Sequence, residues 1–413
     1  MPMLFGPTFA EMRDPSRLAP KIRKAALEAR VNAPLDPINL FNITWKDEEN
    51  RVRHLVLPKA LTGVEANIVV MTGNQFPTGA HKVGPAYSIL VEKQLTGEVT
   101  PGEHTLVFPS TGNFGIGGAW VGPRMGYSSL VVLPEEMSAE RFEKIKGYGA
   151  QVIATPGCES NVKEIFDKVR ELRAEPKNRI LEQFSEFGNY RFHYEVTGNA
   201  AADLAAELKA RGIGNGRAAA FVSAMGSAGT IAAGDRLKDL FGAAVVGLEP
   251  IQCPTLFNVG FGGHRIEGIG DKHVTWIHNV LNMDFLMCID DLETLKGLQL
   301  LQEGTEVLMA EGVGMDEARS LVGMFGMSGV CNVLGAIKTA RALRLGRDET
   351  VFTVATDGFD RYPSVLRRLD GEHGKMTREE AHRRLTIFRD AKLDWVQEGT
   401  RENRLRWHNQ KYF

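Results

Sequence analysis

The chain has 413 residues, 24% of them charged, and a formal net charge of −2. That length can bury a large core in two lobes, while scattered lysines and arginines at so small a net charge speak against a nucleic-acid or anionic-membrane binder. No apolar run approaches the roughly 20 residues that span a bilayer, the start MPMLFGPTFAEMRDP lacks a basic region leading into an apolar run, and Cys158, Cys253, Cys288 and Cys331 share no CxxC spacing, so the expectation is a reduced, cytoplasmic protein with no metal site.

In chain order, Ala66–Met71 (ANIVVM) predicts a buried strand. From His81 onward Val83, Ala86, Tyr87, Leu90 and Val91 recur at helical spacing, with Pro85 tolerated in the first turn. Between them lies Thr78-Gly79-Ala80-His81-Lys82. A lysine near a helix N-terminus meets positive partial charge, which lowers the cost of keeping its amine neutral and nucleophilic. Lys82 is therefore a candidate Schiff-base lysine, with a solvated surface lysine as the plainer alternative.

Next, Thr105–Phe108 predicts a strand, Pro109-Ser110-Thr111-Gly112-Asn113-Phe114-Gly115 a polar loop, and Ile116 the opening of a Gly-rich helix. The hydroxyls, side-chain amide and backbone N–H groups of that loop suit a carboxylate, though a capped helix start reads the same way. Ser129–Leu133 and Gln151–Ala154 predict strands, with helices over about 138–148, 161–173 and 199–211. Arg217–Ala224 predicts a further buried strand that runs into Met225-Gly226-Ser227-Ala228-Gly229-Thr230, and a helix follows with Ile231, Ala232, Leu237 and Leu240. A glycine turn between strand and helix directs N–H groups at one anion, and the helix dipole adds to the attraction. An ordinary tight turn is the alternative; no GxxxxGK[ST] occurs, which disfavours nucleoside triphosphates, and no GxGxxG follows a strand, which disfavours a nicotinamide dehydrogenase. Ala243–Leu248 predicts another strand. The tail from Met376 to Phe413 is charged, helix-prone and carries Trp395 and Trp407, which suits packing or subunit contact better than chemistry. Strands alternating with helices predict an α/β fold with mainly parallel sheets.

Taken together, these segments resemble the fold-type II pyridoxal-phosphate enzymes of the cysteine synthase and tryptophan synthase β-subunit superfamily. TGAHK is similar to the lysine motif of tryptophan synthase β, STGNFG to the asparagine loop of cysteine synthases and GSAGT to their phosphate loop. Glu182-Gln183-Phe184, His193, Thr197-Gly198, Glu249-Pro250 and His264–Gly270 follow the same family in order, and Thr356, Gly358, Arg361 and Tyr362 resemble its last cofactor-contacting turn. The resemblance implies two α/β domains with mainly parallel twisted sheets and pyridoxal 5′-phosphate in the cleft between them. A smaller domain would cover 84–195, a larger one 1–83 with 196–375, and a helical C-terminal extension 376–413.

It also implies site roles. Lys82 would carry the cofactor and then act as the base at the α-carbon; Gly226, Ser227, Ala228, Gly229 and Thr230 would anchor the phosphate; Asn113 would sit beside the phenolic oxygen. Ser110, Thr111, Gly112 and Gln183 would grip the substrate carboxylate, with Phe114 as an aromatic wall where cysteine synthases carry threonine. His81 would either touch the phosphate or cap local backbone. Strand side chains alternate, so only one of Thr356 and Asp357 should face the ring nitrogen, and Thr356 is the expected one. The implied reaction is β-elimination or β-replacement on a small amino acid through an aminoacrylate, cysteine synthase-like or C–S lyase-like. The alternatives are serine or threonine dehydratase-like deamination, or a cofactor-binding subunit that needs a partner. Ser110 stands where tryptophan synthases have glutamate, which counts against tryptophan synthesis, and a homodimer is the implied assembly.

Overall fold

A computed structural model describes residues 5–110, 112–157, 162–260 and 262–412. Two sheets organise them. The larger contains β1 (His54–Val56), β2 (Asn67–Thr72), β7 (Ala220–Ala224), β8 (Ala244–Pro250), β9 (Phe285–Ile289), β10 (Thr350–Ala355) and β11 (Val396–Glu398), in the order β1-β2-β10-β7-β8-β9-β11. Its interior pairings are parallel, and only the edge strands β1 and β11 run antiparallel to their neighbours. The smaller sheet, β3 (Thr105–Pro109), β4 (Ser128–Pro134), β5 (Gln151–Thr155) and β6 (Asn178–Ile180), is wholly parallel in the order β5-β4-β3-β6.

The interior strands are continuous apolar runs because both of their faces are covered. In β2 the side chains alternate between two cores: Val69 and Met71 pack on one side with Trp45, Phe114 and Phe192, and Ile68 and Val70 on the other with Phe325 and Leu334. β10 follows the same rule, with Phe352 and Val354 on the first side and Val351 and Ala355 on the second. This parity carries into the turn after β10 and decides which side chain meets the site.

Two expectations need correction in detail. The helix after β3 runs Asn113–Arg124 and thus begins ahead of Ile116, so Asn113 stands in its first turn. The tail is not wholly helical: after the helix Arg378–Arg389, β11 joins the large sheet against β9 before the helix Arg401–Asn409. A three-residue strand among charged residues carries no pattern of its own. The tail does pack as expected, with Trp407 fully buried among Met225, Ala228, Ile231, Met283 and Leu286, directly under the turn after β7. Among the described residues, no helix is long and apolar enough to cross a membrane.

In open parallel sheets the carboxyl ends of the strands face the ligand crevice. Here β2 leads into the lysine loop, β7 into the glycine turn and β10 into Thr356-Asp357, while β3 delivers the Ser110–Asn113 loop from the other sheet.

Candidate active site

Lys82 caps the helix Val83–Leu95, and its loop is clamped from below. Arg361 donates from Nη1 to Gly79 O at 3.1 Å and from Nη2 to Thr78 O at 2.5 Å, and His81 N donates to Thr356 O at 3.1 Å. The lysine therefore leaves a rigid backbone. Its Nζ donates to Ser227 Oγ at 3.1 Å, which joins the lysine motif to the glycine turn across 145 residues of chain. Burial of the amine lowers its pKa to about 8, against an opposing upward pull from the negative charge of Asp271.

The glycine turn is held as tightly. Ser227 Oγ also accepts from Asn189 Nδ2 at 3.0 Å, and Thr275 Oγ1 donates to Ser227 O at 2.9 Å. A Cβ on Gly229 would stand 2.0 Å from Asn189 Oδ1, so a side chain there would push Asn189 off Ser227. Ala228 has φ 55°, a conformation strained for a residue with a side chain. The helix Ala232–Phe241 starts immediately after this turn. His81 is fully buried and places Nε2 3.3 Å from Thr230 Oγ1. That favours the contact with the glycine turn over backbone capping. Burial and then the Lys82 charge drive the His81 pKa well down, so the ring is neutral. Behind it, His193 crosses His81 edge-on at a centroid distance of 5.1 Å, and Trp45 donates through Nε1 to Thr197 Oγ1 at 2.9 Å.

One cavity collects Lys82, Ser110, Gly112, Asn113, Phe114, Gln183, Gly226, Ala228, Thr230 and Thr356. The other expected residues lie one contact behind this surface: Ser227 on Lys82, Gly229 on Asn189 and His81 on Thr230. Thr111 lies outside the described residues, as do Cys158 and Phe261. Phe114 is buried against Phe108 at a centroid distance of 5.8 Å and forms an apolar wall. The segment 253–263 contributes no described residue to this lining; Glu249 fixes it by accepting from Leu256 N at 2.8 Å and Phe257 N at 3.1 Å.

Several contributors carry no sequence signal of their own. Ser328, in the first turn of the helix Met327–Ala342, and Asn332 line the cavity, with Asn332 Oδ1 accepting from Ala224 N at 2.6 Å. Thr356 thus shares the cavity with Ser328 as well as with Ser110, Ser223 and Thr230. Asn189, Arg141 and Asp271 are brought in by tertiary approach alone, whereas Glu267 belongs to the His264–Gly270 stretch that carries the resemblance.

The Lys82–Asp271 interaction has a measurable consequence. Asp271→Asn removes the charge that raises Lys82, so the amine should become neutral at lower pH. Reductive methylation of Lys82 with formaldehyde and a hydride donor, on chain freed of any cofactor and followed by mass spectrometry across pH, should show a midpoint near 8 in the native sequence and below it in the variant. A midpoint that stays put or rises would refute the coupling.

Comparison with known proteins then gives three findings. A family model described as pyridoxal-phosphate dependent enzyme matches residues 57–357. The chain is 28% identical over 302 residues to a cysteine synthase of Staphylococcus aureus, covering 73% of this chain and 88% of that one, and 30% identical over 292 residues to a probable cysteine synthase of Bacillus subtilis, covering 70% and 86%. Among solved structures it is similar to an O-acetylserine dependent cystathionine β-synthase from Helicobacter pylori, at a TM-score of 0.63 and 25% identity, over 78% of this chain and 97% of that one.

Proposed function

The chain belongs to the pyridoxal-phosphate dependent enzyme family, as a lyase or β-replacement enzyme, and from that premise we propose that Lys82 and the turn 226–230 hold the cofactor for elimination or replacement at the β-carbon of a small amino acid. The observation that carries the reading is the bond at 3.1 Å from Lys82 Nζ, which lines the cavity with Asn113 and Thr356, to Ser227 Oγ just behind it.

The donor set fits the group. The turn 226–230 offers two hydroxyls and backbone N–H groups at a helix start and no carboxylate, which suits a phosphate dianion. Buried Asn113 Oδ1, Asn189 Oδ1 and His81 Nδ1 have no hydrogen-bond partner among the described residues, so polar capacity remains around the cavity. When bound, pyridoxal phosphate supplies the electron sink that lets an α-C–H bond of an amino acid break.

The protein's own contribution follows. Lys82 Nζ, whose pKa burial brings down to about 8, takes and returns the α-proton. Ser110, Thr111, Gly112 and Gln183 orient the substrate carboxylate so that this proton faces Lys82. Phe114 and Ile269 exclude water from the β-carbon. Thr356 belongs to the strand face that Val354 also presents to the cavity, which supports a hydroxyl rather than a carboxylate at the ring nitrogen. A hydroxyl leaves the ring neutral and favours elimination chemistry over transamination.

The two-lobe division at 84–195 belongs to the same reading, supported by confinement of the smaller sheet to residues 105–180. The buried free thiols of Cys253, Cys288 and Cys331 support a reducing, cytoplasmic setting, and a homodimer is the assembly the resemblance implies.

The test is the visible spectrum of the purified protein, recorded before and after O-acetylserine with sulfide, cysteine, serine and threonine. A cofactor band that shifts with O-acetylserine or cysteine, with release of acetate or sulfide, is the expected result. Keto-acid formation from serine or threonine alone would replace this reading with a deaminase, and a colourless protein after incubation with cofactor would overturn it.

A further inference from the structure

Asp357 follows Thr356 and has the opposite strand parity, and its side chain is fully buried. Its Oδ2 accepts from Asn113 Nδ2 at 2.7 Å and from Tyr362 OH at 2.8 Å, and Arg361 Nε lies 3.8 Å away. Its Oδ1 points at Gly326, where a Cβ would come within 1.9 Å of it. Any side chain at 326 would displace the carboxylate, so the helix start at Gly326 is shaped to admit it. Asn113 Oδ1 has no hydrogen-bond partner among the described residues, and Asn113 lines the cavity that Asp357 does not.

A carboxylate can only accept hydrogen bonds, whereas an amide can present either end. Facing a carboxylate, Asn113 must turn its NH2 towards Asp357. One Nδ2 proton is consumed there, and the amide plane is then fixed with the second proton free for an oxygen in the cavity.

From this we infer that Asp357 is a positioning residue: it sets the flip of the Asn113 amide so that Asn113 donates to the phenolic oxygen of the cofactor, and it does not meet the ring nitrogen. The inference rests on the proposed placement of pyridoxal phosphate on Lys82. It gives Asp357 a role through Asn113 and leaves the ring nitrogen to a hydroxyl.

The test is a double-mutant cycle on cofactor affinity, read by fluorescence quenching of the apo chain as pyridoxal phosphate is added. Asp357→Asn should weaken binding about tenfold, because its own amide can offer Asn113 either end. Asn113→Ala should weaken it comparably, and the double variant should match Asn113→Ala within about twofold. Two losses that multiply would overturn the inference, because Asp357 would then act on the cofactor independently of Asn113. An unchanged affinity in folded Asp357→Asn would overturn it too.

Should Asp357→Asn fail to fold, the unmodified chain still decides. In amide NMR spectra, one Asn113 side-chain proton should move on cofactor addition while the other, held by Asp357, keeps its position. Equal movement of both would refute the inference. A native chain that takes up no pyridoxal phosphate overturns the proposed function, and this inference with it, whereas normal uptake with a multiplicative cycle overturns this inference alone.

Discussion

Lys82→Ala should abolish exchange of the substrate α-proton with solvent, by a factor of at least about 10²–10⁴, the usual contribution of a positioned acid–base group. The loss should be confined to proton transfer and covalent attachment. Lys82 reaches the glycine turn through a single bond to Ser227 Oγ, while Ser227 keeps Asn189 Nδ2 and Gly229 N as donors in the variant. The phosphate cradle should therefore persist: pyridoxal phosphate should bind the variant more weakly because its covalent bond to Lys82 is gone, while inorganic phosphate should bind within about tenfold of its affinity for the cofactor-free native chain. Exchange is read as deuterium entering the α-carbon of O-acetylserine or cysteine in D2O by proton NMR. Retained exchange would remove Lys82 from the proton-transfer step, because no other described amine lines the cavity. A small added amine such as methylamine should partly restore exchange, with a rate that rises with pH as the added amine loses its proton. A misfolded variant would show no such rescue.

The parts of this site that were legible in the sequence are those built by local pattern. A continuous apolar run marks β2 as a two-sided interior strand, and the lysine follows it at a helix start because strand, turn and helix each have their own signature. The turn 225–230 was legible for the same reason; period-2 parity allows only one of Thr356 and Asp357 to face the cavity, which Thr356 lines, and the resemblance rather than parity singles out Thr356. What stayed out of reach depends on long-range approach. Arg141 meets Glu267 across 126 residues and Tyr362 across 221, and no periodicity distinguishes it from the other charged residues of its helix. Asn189 looks like any polar residue of a helix start, yet it braces Ser227. The start of the helix at Asn113 was missed because Gly112, with ψ −105° and no side chain to cap with, gives no N-cap signal. The strand β11 was missed because three half-exposed residues at a sheet edge carry no alternation.

Arg141→Met should lower stability by about 3–5 kcal/mol, the cost of leaving a buried ion partner uncompensated. Arg141 is fully buried in the helix Ala139–Gly147. Its Nε donates to Glu267 Oε2 at 2.8 Å, its Nη2 to Tyr362 OH at 2.9 Å, and Tyr362 passes its own proton towards Asp357 Oδ2 at 2.8 Å. Methionine fills much of the volume, so the loss comes from charge rather than from a cavity. It should also depend on pH in a defined direction. Burial already raises the Glu267 carboxyl against the lowering pull of Arg141. Without that pull the folded-state value rises further above the unfolded value, so the folded variant binds the extra proton. A group of that kind favours folding at low pH and loses that contribution as pH rises from the unfolded carboxyl value through the raised folded one. The destabilisation should therefore be larger at pH 8 than at pH 5. Glu267→Met placed on top of Arg141→Met should recover part of it, since the stranded carboxylate is then gone. Urea unfolding midpoints followed by far-ultraviolet circular dichroism at both pH values provide the measurement, compared as midpoints because a chain of 413 residues built on two sheets need not unfold in one step. A single-variant loss within about 0.5 kcal/mol, as for a surface substitution, would mean that the bonds of Arg141 to Glu267 and Tyr362 do not hold these segments together. Recovery by the second substitution would instead assign the cost to Glu267, and with it show that this buried chain of charges is what holds the loop of Asn113 against the turn of Asp357.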